Sequence, residues 1–224
     1  MSVKKIPPAR VLFESDHQQL TFQPPQLSQA EAFSAAIAES LETLKVFMLW
    51  SHEPQTVERQ RARLADSLGS YWSGTDHVFA VFNAECELVM AAGMHARIPL
   101  NPNATEIGYW VRRSYQGQGL ATLATQVLTL LGISWFGYDR IQISHNVANV
   151  ASGRVIEKVG FRYEGIIRNN EAPRSEEHLQ QGLSPSRDAK SYAILPEDLD
   201  DLPWVKEVRP GVCIVDYKGQ LHRI

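Results

Sequence analysis

The chain has 224 residues, of which 44% are hydrophobic, and it carries a formal net charge of −3 at pH 7. This length and composition indicate a folded domain with a substantial core and argue against a disordered chain. The weakly acidic balance gives no reason to expect direct binding to nucleic acid or to an anionic membrane surface. A cationic substrate suits this charge better than a polyanionic one.

The cysteines and histidines bear on location and cofactors. Cys86 and Cys213 are too few for a disulfide framework, so we expect a reducing cytoplasm. The seven histidines show no metal-ligand spacing, and we expect no metal cofactor. Residues 1–10 lack the apolar segment of a signal peptide. Residues 114–138 carry no charge, but their polar side chains recur at helical spacing, which favours a core helix over a membrane span.

In the first half of the chain, the hydrophobic period predicts a short strand, two helices and a meander. Residues 20–23 form the short strand, and a period of three to four residues indicates helices over 28–46 and 56–70. A period of two then indicates adjacent antiparallel strands. These strands lie at residues 77–83, 88–95 and 105–111.

The stretch at residues 106–121 (EIGYWVRRSYQGQGLA) predicts a strand, a turn and two glycines that open a long helix. The first turn of a helix has unpaired N–H groups and the positive end of the helix dipole, and glycine lets an anion approach closely. Gly117 and Gly119 therefore indicate a phosphate-binding junction. They are equally compatible with an ordinary strand–turn–helix in which glycine supplies a positive φ.

The second half alternates short strands with helices. Residues 140–144 predict a strand, and Asn146 or Asn149 begins a helix that ends near residue 159 with Gly160 as its C-cap. Two further strands, residues 161–168 and 189–195, flank a polar loop that we expect to be mobile. The tail predicts a helix start and a hairpin around Lys218 and Gly219.

Two nucleotide-binding motifs also place glycines at the start of a helix. A P-loop is excluded because Gly-x-x-x-x-Gly-Lys-Ser/Thr does not occur. A dinucleotide fingerprint fits poorly, because Thr122 replaces the third glycine and Asp139 precedes its strand instead of following it. The antiparallel strands upstream also differ from βαβ units.

Several motifs in the same order resemble the GNAT N-acetyltransferases. Residues 116–121 (QGQGLA) are similar to the Gln/Arg-x-x-Gly-x-Gly/Ala acyl-CoA pyrophosphate loop of that family. Other motifs resemble its RimJ/RimL branch, which acetylates ribosomal-protein N-termini among other amines. They are IGYWV at 107–111, Asn149 with Ser152, EKVGF at 157–161 with Glu164-Gly165, and Arg187-Asp188 leading to Tyr192.

The resemblance implies an α/β (α+β) fold of the GNAT acyl-CoA N-acyltransferase type. Helices flank a mixed central sheet that splays between its fourth and fifth strands, here residues 105–111 and 140–144. The resemblance covers residues 20–196 as the GNAT domain. It leaves residues 1–19 as an N-terminal extension and 197–224 as a C-terminal extension with the helix start and hairpin.

The same resemblance implies acetyl-CoA as cofactor and assigns its binding residues. The backbone N–H groups of residues 117–121 bind the pyrophosphate, the strand backbone at residues 109–111 holds the pantetheine, and Asn149 bonds a pantetheine amide. An N–H near Val111 polarises the thioester carbonyl, an interaction typically worth about 3 kcal/mol. The implied binding residues are Tyr109, Trp110, Val111, Gln116, Gly117, Gln118, Gly119, Leu120, Ala121, Asn149 and Ser152.

Two side chains are implied for proton transfer. Glu106 is the expected base, acting through water, although a solvent-exposed strand-end carboxylate explains it too. Ser152 is the expected acid for the CoA thiolate, since residues 147–159 lack the tyrosine that many GNAT enzymes place there. Both Ser152 and Asn149 also suit a purely structural role at the helix start. His145 fits a hydrogen-bonded structural histidine better than a base, and Asp188 a substrate-side or structural role.

We therefore expect direct transfer of acetyl to a primary amine, either a protein N-terminus, such as that of a ribosomal protein, or a small molecule. A non-catalytic acyl-CoA sensor, with its tail hairpin pairing between chains, remains an alternative, and a nicotinamide-dependent oxidoreductase ranks below it. We expect a monomer or homodimer without nucleic-acid or membrane partners. Trp50, Trp72, His95 and the loop at residues 169–187 are possible walls of the acceptor site.

Overall fold

A single mixed sheet organises the protein in the computed structural model, which describes residues 6–96, 98 and 101–224. Within those residues the sheet has ten strands in the order β10-β9-β1-β2-β3-β4-β5-β6-β8-β7. The strands are β1 Arg10–Glu14, β2 Gln19–Gln23, β3 Asp76–Phe82, β4 Leu88–His95, β5 Ala104–Val111, β6 Arg140–Asn146, β7 Arg162–Ile167, β8 Ala189–Ile194, β9 Val212–Val215 and β10 Leu221–Arg223.

Helices cover both faces of this sheet. They are α1 Ala30–Leu44, α2 Val57–Ser73, α3 Leu120–Leu130, α4 Val150–Val159, α5 Glu176–Gln180 and α6 Pro203–Val208. A π-helical segment, Leu131–Phe136, continues α3, and short 3-10 segments lie at Leu27–Gln29, Leu49–His52, Arg113–Tyr115, Pro196–Asp201 and Arg209–Gly211. The predicted helices and strands of the central region are confirmed, with small shifts at their ends.

The two faces of the sheet bury different clusters. Side chains of β4 are buried along almost its whole length, as expected for a strand covered on both sides. On one face, Met94 and Ile107 pack with residues of α3 and α4. On the other face, Ala91 packs with Phe33 of α1 and Leu64 of α2.

The central strands diverge where the sheet changes from antiparallel to parallel pairing. β4 and β5 are antiparallel over six residue pairs, from Met90↔Val111 to His95↔Glu106. β5 and β6 are parallel and pair at three positions, between Ala104↔Arg140 and Glu106↔Gln142. The second half of β5 therefore leaves β6, which confirms the predicted splay between residues 105–111 and 140–144.

The segments outside the central domain also contribute strands. Residues 10–14, to which we assigned no element, form β1, which pairs with β2 on one side and β9 on the other. The predicted hairpin is present as β9 and β10, and it joins the sheet of its own chain through β1. The hairpin thus pairs within its own chain through β9, while β10 is the end strand of the sheet, and pairing of the hairpin between chains stays a prediction. The domain limits at residues 19/20 and 196/197 stay a prediction.

Candidate active site

The split between β5 and β6 creates the opening in which the predicted residues meet. Tyr109, Trp110 and Val111 lie on the part of β5 that has left β6. Asn149 and Ser152 come from the start of α4, which follows β6 directly. The opening therefore brings together predicted residues from β5 and α4.

The glycine loop follows β5 and leads into α3. Gly119 is the N-cap of α3 with φ 81° and ψ −3°, and Gly117 has φ 77°, conformations that disfavour residues with a Cβ. A Cβ at either glycine would meet no atom within 4 Å, so backbone conformation and not crowding calls for glycine here. The first N–H groups of α3 point out of this loop without intrahelical partners, which is the arrangement that binds anions.

A groove of about 560 Å³ runs along this loop beside α3 and α4. It is lined by many of the predicted cofactor residues, namely Tyr109, Trp110, Val111, Gln116, Gly117, Gly119, Leu120, Ala121, Asn149 and Ser152. Gln118 lies outside this lining, and its side chain donates to the carbonyl of Ser114 at 3.1 Å. We call this cavity the cofactor groove.

Two cations of the cofactor groove were not found from the sequence. Arg154 and Lys158 lie one turn apart on the exposed side of α4, and both line the groove. Their i,i+4 spacing was a usable signal, because such residues share a helix face. They supply positive charge opposite the helix start at Gly119.

At the inner end of the cofactor groove, two hydroxyl groups meet. The Tyr109 hydroxyl and Ser152 Oγ are 3.2 Å apart. Burial raises the pKa of the Tyr109 phenol, and the hydrogen bond with Ser152 partly offsets that rise. The phenol therefore stays protonated at neutral pH. The sequence predicted a role only for the backbone of Tyr109. The contact of its side-chain hydroxyl with Ser152 was not predicted.

The start of α4 fixes Ser152. Asn149 is the N-cap of α4, and its Oδ1 accepts a hydrogen bond from the Ser152 N–H at 3.1 Å. Asn149 thus has the structural role at the helix start that the sequence also allowed, and this role uses only the Oδ1 atom of its amide. The Ser152 hydroxyl and the Asn149 side-chain NH₂ are the groups that can serve a ligand.

A second cavity, of about 680 Å³, lies between the sheet and helices α1 and α2. Glu106 and His95 line it beside Trp50 and Trp110, whose ring centroids are 6.5 Å apart. The guanidinium of Arg63 lies 5.3 Å from the Trp50 ring centroid. We call this cavity the acceptor pocket. Tyr109, Asn149 and Ser152 line it together with the cofactor groove, so the two cavities share a wall.

The loop at residues 169–187 supplies Glu171 to the acceptor pocket. This loop contains α5, and the Ser184 N–H donates to the carbonyl of Val46 at 2.8 Å. The Asn146 side chain donates to Glu171 Oε1 at 3.1 Å and to the carbonyl of Ser186 at 2.7 Å. These contacts attach the loop across the pocket to the end of β6 and to the segment after α1.

Three further residues singled out in the sequence, Trp72, His145 and Asp188, make contacts that support the fold. Trp72 is 45% exposed and packs edge-on against Tyr71, away from the acceptor pocket lining. Buried His145 donates from Nδ1 to the carbonyl of Asn146 at 2.8 Å and stacks on Tyr192. Burial lowers the pKa of His145 and keeps the ring neutral. Asp188 accepts from the Asn169 N–H at 2.9 Å and so closes a loop.

The described residues contain neither a metal-binding cluster nor a membrane-spanning helix. In the described ranges, no group of three or more His, Cys, Asp or Glu residues has the geometry to hold a metal ion. In the same ranges, none of the helices has the length and apolar character needed to span a membrane.

Comparison with known proteins agrees with this geometry. A family model described as an acetyltransferase (GNAT) domain matches residues 19–162. The ribosomal-protein-serine acetyltransferase of Escherichia coli (strain K12) is 31% identical over 122 residues, which cover 54% of this chain and 67% of that protein. The probable N-acetyltransferase YjcK of Bacillus subtilis (strain 168) is 26% identical over 149 residues, 66% of this chain and 82% of that protein.

Among solved structures, that of Mycobacterium smegmatis RimJ in complex with CoA-disulfide has the same fold. Its TM-score is 0.71 at 20% sequence identity, and the match covers 93% of this chain and 99% of that chain. The family match extends from β2 to the first residue of β7 and includes both sides of the split sheet. The chain therefore belongs to the GNAT family and is an acetyl-CoA-dependent acetyltransferase.

Proposed function

We propose that this enzyme transfers acetyl directly from acetyl-CoA to the N-terminal α-amine of a protein, with both substrates bound together. The observation that carries this proposal is the wall shared by the cofactor groove and the acceptor pocket at Tyr109, Asn149 and Ser152. Two substrates that enter from opposite sides can bring the amine and the thioester together at that wall. No covalent enzyme intermediate is needed.

The donor side of the proposal uses the backbone more than side chains. The N–H groups at residues 117–121 bind the pyrophosphate, and Arg154 and Lys158 add charge near the CoA phosphates. The β5 backbone from Tyr109 to Val111, free of β6, bonds the pantetheine like an added strand. Asn149 contributes its NH₂ group to a pantetheine amide.

The acceptor side of the proposal follows from charge and shape. Glu106, Asp66 and Glu171 put carboxylates into the lining of the acceptor pocket, which suits a cationic ammonium group. The pocket is larger than one amino-acid side chain needs, and it opens beside Trp50 and the loop at residues 169–187. A relative whose name gives ribosomal-protein serine as its target supports a protein N-terminus over a small amine.

The proposed chemistry removes two protons from the amine nitrogen. Glu106 takes the first proton through water, and the neutral amine then attacks the thioester carbon. A backbone N–H near Val111 stabilises the oxyanion. As the C–N bond forms and the C–S bond breaks, Ser152 gives its proton to the thiolate. The second proton of the nitrogen returns to Ser152 through water, and the Tyr109 hydroxyl holds Ser152 in place.

A cysteine-based route has less support. Cys86 is exposed in the turn between β3 and β4, and Cys213 lies on β9. Neither lines the cofactor groove or the acceptor pocket. Both thiols are free, which favours the cytoplasmic location that forms part of the proposal.

The test measures release of the CoA thiol with acetyl-CoA and a panel of N-terminal peptides, free amino acids and small amines. We expect turnover with the peptides and losses of about 10²-fold or more in kcat for Glu106→Gln and Ser152→Ala. The matched controls are Glu42→Gln and Ser28→Ala, because both of those residues are exposed on the surface.

Three results would contradict the proposal in different ways. Faster turnover of small amines than of any peptide removes the protein acceptor. Burst release of CoA without an acceptor indicates an acetyl-enzyme and removes the direct transfer. Tight CoA binding with no turnover of any amine supports a sensor in place of an enzyme with this acceptor class.

A further inference from the structure

Three polar side chains lie in one row across the central sheet. Asp76 of β3 is the direct cross-strand partner of His95 in β4, and His95 is the direct partner of Glu106 in β5. Direct partners project from the same face of a sheet, with Cβ atoms about 4.5–5.5 Å apart. Here that face is the one covered by α1 and α2, where His95 and Glu106 line the acceptor pocket. The candidate base thus has an imidazole as its nearest neighbour across the strand pair.

The carboxylate of Asp76 fixes the orientation of this imidazole. His95 Nδ1 lies 2.8 Å from Oδ1 and 3.1 Å from Oδ2 of Asp76. A carboxylate can only accept, so Nδ1 carries a proton and donates it. In the neutral ring, the other nitrogen, Nε2, is then the atom that can take up a proton. The carboxylate also stabilises the imidazolium that forms when it does so.

A pair of glycines makes room for the ring. Gly93 and Gly108 are cross-strand partners, one step along the same face from the row of Asp76, His95 and Glu106. A Cβ built on Gly108 would lie 3.1 Å from His95 Nε2, and a Cβ on Gly93 would lie 3.2 Å from the same atom. Nε2 therefore stands over Gly108, one residue from Tyr109.

We propose that His95 takes over the proton that Glu106 removes from the acceptor amine, and that Asp76 positions His95 for this step. The inference rests on the proposed function and extends its first step. An imidazole gains and loses its proton closer to neutral pH than any other side chain, so it suits this relay. His95 acts through Glu106 and is a relay residue, whereas Asp76 is a positioning residue.

The proton removed from the ammonium can be followed through each step of the relay. The ammonium gives a proton through water to the Glu106 carboxylate, which becomes a carboxylic acid. Glu106 passes that proton through a bridging water to His95 Nε2, so the carboxylate is restored and an imidazolium forms beside Asp76. The neutral amine attacks the thioester while His95 holds the charge, and His95 then releases the proton to solvent. The thiolate is protonated separately, by Ser152.

Other charged groups contribute to the surroundings of His95. Burial raises the pKa of Tyr138, and the nearby charge of Asp76 raises it further, so this phenol remains neutral beside the row. Helix α1 contributes apolar residues to the pocket lining opposite. The titratable or charged groups at the row or in the pocket lining are Asp76 and Tyr138 beside the row, Arg63 and Asp66 from α2, Glu106 and Tyr109 from β5, His145 from β6 and Glu171 from the loop.

Chemical rescue gives the first test. With a peptide that the wild-type enzyme acetylates, His95→Ala should lower kcat/KM by about 10²-fold, and added imidazole should restore a substantial part of it. His17→Ala is the matched control, because His17 is exposed in the turn between β1 and β2. Binding of CoA, measured by titration, should be the same in both variants and shows that each is folded. A His95→Ala enzyme that binds CoA but gains no activity from imidazole overturns the relay.

The second test uses non-additivity and the separation of kcat from KM. If His95 and Glu106 act in one path, the double variant His95→Gln/Glu106→Gln should be about as slow as the slower single variant. Asp76→Asn removes the carboxylate that orients the His95 ring, so kcat should fall while KM for the peptide stays near its wild-type value. Additive losses in the double variant, or a wild-type kcat in Asp76→Asn, contradict the inference.

These outcomes are separable from the proposed function. If the wild-type enzyme acetylates no amine of the panel, the proposed acceptor chemistry fails and the relay fails with it. If the wild-type enzyme acetylates peptides and His95→Gln retains more than half of its kcat/KM, the relay alone fails. A His95→Gln variant that changes KM and leaves kcat intact assigns His95 to substrate binding and also overturns the relay.

Discussion

Replacing Gly119 by alanine tests whether the cofactor loop needs the left-handed backbone conformation that this glycine adopts. Gly119 has φ 81°, and a Cβ there meets nothing within 4 Å, so alanine introduces conformational strain without a clash. A residue with a Cβ costs about 1–2 kcal/mol in the left-handed region. For a chain of this size that corresponds to roughly 2–4 °C in Tm per kcal/mol.

The same strain predicts a loss of cofactor affinity. If the apo loop relaxes to a negative φ, binding must restore the strained form, and the Kd for CoA rises by a factor of about 5–30. Gly137 is the matched control, because it caps the far end of the helical stretch that Gly119 opens, with φ 75° and ψ 28°, and a Cβ there is also unobstructed. It lies beyond α3 and the π-helical segment, about 25 Å of helix away.

Thermal unfolding and CoA titration of both variants provide the assay. Strain that the apo loop keeps lowers Tm, and strain that it relieves by relaxing weakens CoA binding, so for Gly119→Ala the two losses together should come to about 1–2 kcal/mol. For Gly137→Ala we expect a lower Tm and a wild-type Kd. A smaller drop in Tm for Gly119→Ala than for Gly137→Ala, together with a wild-type Kd, would refute the anion-binding role of this backbone, because the relaxed loop would then bind CoA equally well. Equal weakening in both variants would show that the loss is global and not local to the loop.

Three further predictions concern hydroxyl groups and glycines. Tyr109→Phe removes the bond to Ser152 and should lower kcat with little change in CoA affinity, measured by steady-state kinetics and titration. Tyr71→Phe leaves the carbonyl of Pro8, 2.7 Å from the Tyr71 hydroxyl, without that buried partner, and should cost about 1–3 kcal/mol in urea unfolding at pH 7. Because burial raises the pKa of Tyr71, its contribution to stability is full below about pH 10 and falls as pH rises further, so the variant should lose less stability in alkali. Gly108→Ala pushes against His95 Nε2 and should slow turnover while leaving the free energy of unfolding within about 1 kcal/mol of wild type.

The features that could be predicted from the sequence are those encoded by neighbouring residues. The glycine loop, the helix that it opens and the Asn149 cap depend on short spacings, so the order of motifs placed them correctly. The meander of β3, β4 and β5 followed from the period of two and from the turns. The fold of the central region could be derived in the same way.

Contacts that depend on register could not be predicted. Tyr109 and Ser152 are 43 positions apart and meet only because β5 separates from β6 and α4 folds back. Asp76 and His95 pair only in one register of β3 and β4, and a slip by one residue would turn one of them to the opposite face. The alternating hydrophobic pattern of β1 was too short to distinguish a strand from a loop. Its place in the sheet depends on β9, at the other end of the chain.

The position of β1 sets an order for completing the sheet during synthesis. One edge of β1 can pair with β2 as soon as residues 19–23 are synthesised. The other edge cannot pair until β9, Val212–Val215, has been synthesised. We therefore expect the cofactor groove, whose lining ends at Lys158, to form while β1 still presents an unpaired strand edge. Such an edge can pair with other chains. The tail hairpin thus covers the outer edge of β1 only at the end of synthesis. A chain truncated ahead of residue 212 should therefore aggregate while its folded molecules still bind CoA.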